Sequence, residues 1–132
     1  MAKYKFVGFQ EHVEIPKGFE KLEISELIDF SVSDIYSYLS DPVLISKWFY
    51  PIKSLDAKAS GKIEFEDSKI EGICVAADLG RTITLLSDQF GEFSAQIKGS
   101  ALSICFKILT DEPDAKRNEF SSLINSLKEL IS

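Results

Sequence analysis

Apolar residues recur at helical spacing along the last stretch of the chain, Asp111 to Ser132. Phe120, Leu123, Ile124, Leu127, Leu130 and Ile131 share a stripe, while Lys116, Arg117, Glu119, Lys128 and Glu129 fall mostly elsewhere. The spacing predicts one long, one-faced helix, opened by Asp111-Glu-Pro-Asp114 with acids at its positive end. Upstream the period is two. Lys21 to Phe30 carries Leu22, Ile24, Ile28 and Phe30 on one face, interrupted by Glu26. Ile63 and Phe65 alternate with Lys62, Glu64 and Glu66, and Asp67-Ser-Lys69 predicts a turn. Ile70 to Ala77 is apolar on both faces around Gly72, the pattern of a central strand. After a turn at Asp78-Leu-Gly80 comes a strand from Arg81 to Ser87. Phe93, Ala95 and Ile97 then alternate with Glu92, Ser94, Gln96 and Lys98, and Lys98-Gly-Ser100 turns into Leu102, Ile104, Phe106 and Ile108. Short loops make sequential strands pair antiparallel. The helix must bury its stripe, and the sheet is the only large surface on offer. The expectation is an α+β domain in which a curved antiparallel sheet closes around a C-terminal helix and can leave a pocket between them.

Two short helices are expected between the first strand and the meander. Ser31-Val-Ser-Asp34 resembles a capping box and predicts a helix carrying Ile35, Tyr36 and Leu39 to about Ser40. Asp41 as N-cap and Pro42 at the first helical position restart it, with Val43 to Trp48 as the second helix and Pro51 as its end. Residues 1–20 are expected as an N-terminal arm or extra edge strand, with a turn at Pro16-Lys-Gly18, because four aromatics there would otherwise face water. No repeat or linker divides the chain, so residues 1–132 are read as one domain.

Composition narrows the function classes. With 45% hydrophobic and 27% charged residues the chain is globular in character. A net charge of -6 with scattered basic residues argues against a nucleic-acid partner. No segment has the uninterrupted apolar run of a membrane span, and the start has no signal-peptide core, so a cytoplasmic protein is expected. Cys74 and Cys105 sit in apolar strand-like runs and are expected as buried reduced thiols. His12 is the lone histidine and reads as a surface residue. No metal-ligand spacing, phosphate loop or nucleotide fingerprint is present, and no cofactor is expected.

The order of elements, together with Phe30-Ser-Val-Ser-Asp-Ile-Tyr36 and Asp41-Pro-Val-Leu-Ile-Ser-Lys-Trp-Phe49, resembles the START-related, birch-pollen-allergen-like superfamily. Within it the chain looks most like the homologues of the heat-shock-protein ATPase activator. Gly61 and Gly72 match glycines of that pattern, and the resemblance covers roughly residues 21 to 132. The N-terminal arm lies outside it, Ser60-Gly61 replaces a double glycine, and the Asn-x-Trp-His-Trp signature of the eukaryotic activators is missing. The resemblance implies a helix-grip fold, in a superfamily whose members bind lipids, sterols, hormones or polyketides, some of them catalysing cyclisation.

Alternation predicts an inward face of Ile63, Phe65, Phe93, Ala95, Ile97, Leu102, Ile104 and Phe106, uniformly apolar and short of the convergent titratable groups that catalysis needs. Glu26 is the one interruption. A bulge turning it to solvent is favoured over a buried carboxylate of raised pKa. Trp48 is expected to anchor the second helix, with Phe49 and Tyr50 more open. The candidate lining is therefore Glu26, Trp48, Phe49, Phe65, Phe93, Ile97, Ile104, Phe106, Phe120 and Ile124. A non-catalytic domain binding a small apolar molecule under the last helix is the first expectation. A chaperone-associated protein-interaction module acting through the Trp48 to Pro51 corner is the second, and a cyclase or dehydratase the third.

Overall fold

The computed structural model describes residues 16–66 and 71–132. Alternating faces and tight turns give strand β1 (Glu20–Asp29), helices α1 (Ser37–Ser40) and α2 (Pro42–Ile45), and strands β2 (Ile52–Leu55) and β3 (Gly61–Phe65). Strands β4 (Glu71–Asp78), β5 (Thr82–Ser87), β6 (Gly91–Lys98) and β7 (Ala101–Thr110) follow, then helix α3 (Pro113–Ile131). The strands form one antiparallel sheet in the order β1-β7-β6-β5-β4-β3-β2. Each neighbour is the next in sequence except at β1, which closes onto β7 in unbroken register from Glu20 opposite Thr110 to Asp29 opposite Ala101. Register shifts between Ile52 and Ser54 and between Cys74 and Ala76 bend the other end.

The inner faces of these strands and the stripe Phe120, Ile124, Leu127 and Ile131 of α3 belong to a single buried core. This is the helix-grip architecture that the sequence predicts. Gly72 of β4 makes room within it, since a Cβ there would lie 2.9 Å from the Phe65 ring and 3.0 Å from the Leu86 carbonyl oxygen.

The first short helix starts later than expected. Ser31 does not cap it: the Ser31 N–H donates to the Ile131 carbonyl in the last turn of α3, at 2.8 Å. Asp34 sets up the turn instead, accepting from the Ser37 hydroxyl at 2.6 Å. Asp41 caps α2 as expected, accepting from the Leu44 N–H at 3.1 Å. That helix ends at Ile45, well before Pro51, and residues 46–50 run on as turns. The Ile52 N–H donates to the Ser46 hydroxyl across this corner at 2.8 Å. Edge strand β2 was not legible, because four residues broken by a bulge show no alternation. The turn expected at Pro16 to Gly18 forms, with the Phe19 N–H on the Pro16 carbonyl at 3.1 Å. His12, most of the N-terminal arm and the Asp67 to Lys69 turn lie outside the described residues. Cys74 is buried and Cys105 only half-buried, and both are free thiols. Among the described residues no helix is long and apolar enough to cross a membrane.

Candidate functional site

The interior between sheet and helix is built from aromatic rings. Phe106 on β7 stacks on Phe120 of α3 with centroids 4.4 Å apart and planes 12° from parallel. From Phe106 the contacts pass to Phe93 on β6 at 4.9 Å and on to Phe49 at 5.2 Å. Phe49 meets Trp48 at 5.0 Å and Phe90 at 4.9 Å, and Phe90 reaches Phe65 on β3 at 6.1 Å. All these rings are buried, and they span the grip from β3 to α3. Offset and tilted arrangements of this kind place ring edges on ring faces, where the quadrupoles attract.

One corner of this interior is polar. Tyr50, 8% exposed, stacks on Phe90 at 5.4 Å and donates its hydroxyl to the Glu119 carboxylate of α3. Lys116, one turn earlier, pairs with Glu119 at 3.3 Å and donates to the main-chain carbonyl of Gln89 at 2.8 Å. Gln89 sits in the turn between β5 and β6, and its side-chain oxygen is shut off from solvent with no hydrogen-bond partner among the described residues. Burial first, then the hydrogen bond and negative charge of Glu119, push the Tyr50 hydroxyl well above the ordinary tyrosine range. It is a neutral donor at physiological pH. The corner therefore combines a neutral hydroxyl, a half-exposed ion pair and an unmet acceptor at the edge of a ring-filled core. Among the described residues no group of three His, Cys, Asp or Glu side chains is arranged to hold a metal.

The residues anticipated from the sequence fall into two places. Trp48, Phe49, Phe65, Phe93, Phe106 and Phe120 come together in the ring network, with Ile104 and Ile124 buried in the same core and Ile97 packed half-buried against it. Trp48, in the turn after α2, is buried as expected of an anchor: its ring lies 5.7 Å from Phe93 on β6 and its indole N–H donates to the Tyr38 carbonyl of α1 at 2.7 Å. Phe49 and Tyr50 are buried instead of open, because the chain turns inward after α2 and emerges only at the exposed Pro51. Glu26 stands apart. With no bulge in β1, its side chain stays on the inner face opposite Ile104, half-buried, and forms an ion pair with Lys128 of α3. Its fate is neither of the two weighed from sequence, since α3 supplies a cation at that point.

Gln89, Phe90, Lys116 and Glu119 were not anticipated. A signal was present in the helix: Lys116 lies four residues before Phe120 and continues the buried stripe by one turn. The break between Ser87 and Gly91 is legible in the sequence, but its contact with α3 arises only through tertiary packing.

No protein-family model matches the sequence, and no curated protein matches it. Solved structures do. The Aha1 dimer from Colwellia psychrerythraea is similar at 15% identity and TM-score 0.63, over 85% of this chain and 96% of that one. MLL2253 from Mesorhizobium loti gives 11% identity and TM-score 0.62, over 84% and 96% of the two chains. CalU16 from Micromonospora echinospora gives 16% identity and TM-score 0.55, over 83% and 73%. At these identities the likeness is one of fold: a curved antiparallel sheet closed around a long C-terminal helix.

Proposed function

We propose that this chain is a non-catalytic binding domain for a small hydrophobic molecule, held between the sheet and α3. The observation that supports this reading is the ring-built interior, in which Phe49, Phe93, Phe106 and Phe120 meet across the boundary between sheet and helix. Each ring turns about only two side-chain torsions, so a flat apolar guest replaces one set of ring contacts with another. Opening a space of about 300 Å³ at about 24 cal/mol per Å³ costs roughly 7 kcal/mol. A guest that buries about 300 Å² of apolar surface regains roughly 7 kcal/mol at about 25 cal/mol per Å². The two terms nearly cancel. Greasy contact alone therefore gives weak binding, and affinity is left to whatever polar contact the guest makes.

A chaperone-associated interaction module is the second reading, supported by the likeness to Aha1 from Colwellia psychrerythraea. Of the Trp48 to Pro51 corner that would serve it, only Pro51 is exposed, and among the described residues the large exposed apolar side chains Leu27, Val43, Val75 and Leu79 are spread over β1, α2, β4 and the turn after it. Isolated exposed apolar side chains are ordinary on soluble domains.

Native mass spectrometry of the purified chain and titration with an environment-sensitive apolar dye distinguish the two readings. The binding reading expects a retained small molecule or a dye signal displaced by added lipids. Failure of both, with salt-sensitive capture of a heat-shock chaperone, supports the interaction module.

A further inference from the structure

We propose that the corner formed by Tyr50, Gln89, Lys116 and Glu119 selects the guest by a hydroxyl group carried on its ring system. This rests on the apolar-guest reading and adds the chemical class. Gln89 offers a side-chain oxygen that is closed to solvent and accepts from nothing among the described residues. Native proteins rarely leave such an atom unmet, because its desolvation is uncompensated. The same residue is held at the corner through its main-chain oxygen by Lys116, whose second contact is Glu119. Two of the three Lys116 N–H groups are thus committed, and the third remains as a donor. Tyr50 has its hydroxyl on Glu119 and offers the guest its ring, stacked on Phe90 and edge-on to Phe49.

A hydroxyl is the small group that both donates to the Gln89 oxygen and accepts from the Lys116 ammonium. An ether has no proton to give. A carboxylate also has none, and it would meet the Glu119 carboxylate and the Gln89 oxygens. The aromatic surroundings favour a flat carrier for that hydroxyl, so the guest class is a hydroxylated aromatic molecule.

The test titrates the full chain with 2-naphthol and with its methyl ether, 2-methoxynaphthalene, following ligand fluorescence, in the wild type, Gln89→Leu and Lys116→Met. The wild type is expected to bind the naphthol about 10-fold more tightly, the scale of one hydrogen bond to a buried acceptor. Gln89→Leu is expected to bind both probes with the affinity of the ether and, with its unmet acceptor gone, to melt no lower than the wild type. Should that variant fail to fold, loss of the naphthol preference in Lys116→Met, which releases the Gln89 main chain from its hold on α3, supports the assignment in its place. Equal affinities in the wild type, or a preference that survives in every folded variant, overturns the hydroxyl assignment and leaves the apolar-guest reading standing. Binding of neither probe counts against that reading itself, and the assignment falls with it.

Discussion

Tyr50 shows how a single side chain couples the core to the helix. Its ring is buried among Phe49 and Phe90, yet its hydroxyl reaches a carboxylate on α3. Both influences favour the neutral phenol, so its folded pKa is raised above the unfolded value of about 10. The sign of the linkage follows. Below about pH 10 tyrosine is neutral in both states and the interaction contributes in full; above it the unfolded chain releases a proton that the native state retains. Stability therefore falls as pH rises past 10, by up to about 1.4 kcal/mol per pH unit for one group. Tyr36 adds to the slope, its pKa raised by burial and then by Cys74 and Asp78. Urea unfolding between pH 8 and 11 is expected to show a shallower alkaline decline in Tyr50→Phe than in the wild type. At pH 8 the same substitution is expected to cost about 1 kcal/mol, because a partly exposed Glu119 loses one charged hydrogen bond and regains water. Identical alkaline slopes in the two proteins would show that this hydroxyl is not held neutral by its surroundings.

At the scale of elements, the turn between β5 and β6 carries the most consequence for its length, since it delivers Gln89 to α3 and Phe90 to the ring network. Gly91 makes this possible. Its φ is 71°, and a Cβ built there would stand 2.1 Å from the Lys107 carbonyl oxygen on β7. Gly99, in the turn between β6 and β7, has φ 61° with open space around the same position. Gly99→Ala is expected to cost about 1 to 2 kcal/mol from backbone conformation alone. Gly91→Ala adds a backbone collision and is expected to cost at least about 1 kcal/mol more. Chemical unfolding of the pair measures the difference, and equal losses would mean that β7 yields readily at Lys107. The contrast also explains what was legible. Strands β6 and β7, with their clean alternation, and α3, with its stripe, announce themselves through side-chain periodicity. Their inward residues Phe93, Ile104, Phe106, Phe120 and Ile124 were identified on that basis and are buried. Ser31 and the β5–β6 turn depend on where the end and the start of α3 come to rest, a long-range outcome that no local pattern encodes. The polar corner was hidden for the same reason: Tyr50, Gln89 and Lys116 are far apart in sequence and meet only after the grip has closed.

For the whole molecule the central question is how a core so rich in rings closes and still accommodates change. The Phe106–Phe120 stack is the seam, joining the sheet to α3 at 4.4 Å with both rings fully buried. Below the seam α3 is fastened by aliphatic contacts through Ile124, Leu127 and Ile131, by the Glu26–Lys128 pair and by the Ser31 N–H on Ile131. Above it, the fastenings are the polar contacts of Lys116 and Glu119. Removing the seam ring should therefore leave the lower part of α3 docked. Phe120→Ala is expected to destabilise the fold by about 3 to 5 kcal/mol, the usual cost of deleting a buried phenyl group. Because the void is lined by Phe106 and its aromatic neighbours, it should remain dry and admit a small aromatic molecule. Benzene or toluene is then expected to raise the thermal midpoint of Phe120→Ala in a concentration-dependent way, with little effect on the wild type. A variant that loses this much stability yet gains nothing from either hydrocarbon must have collapsed around the gap. That outcome would describe a grip that tightens when emptied, a poor container for any guest.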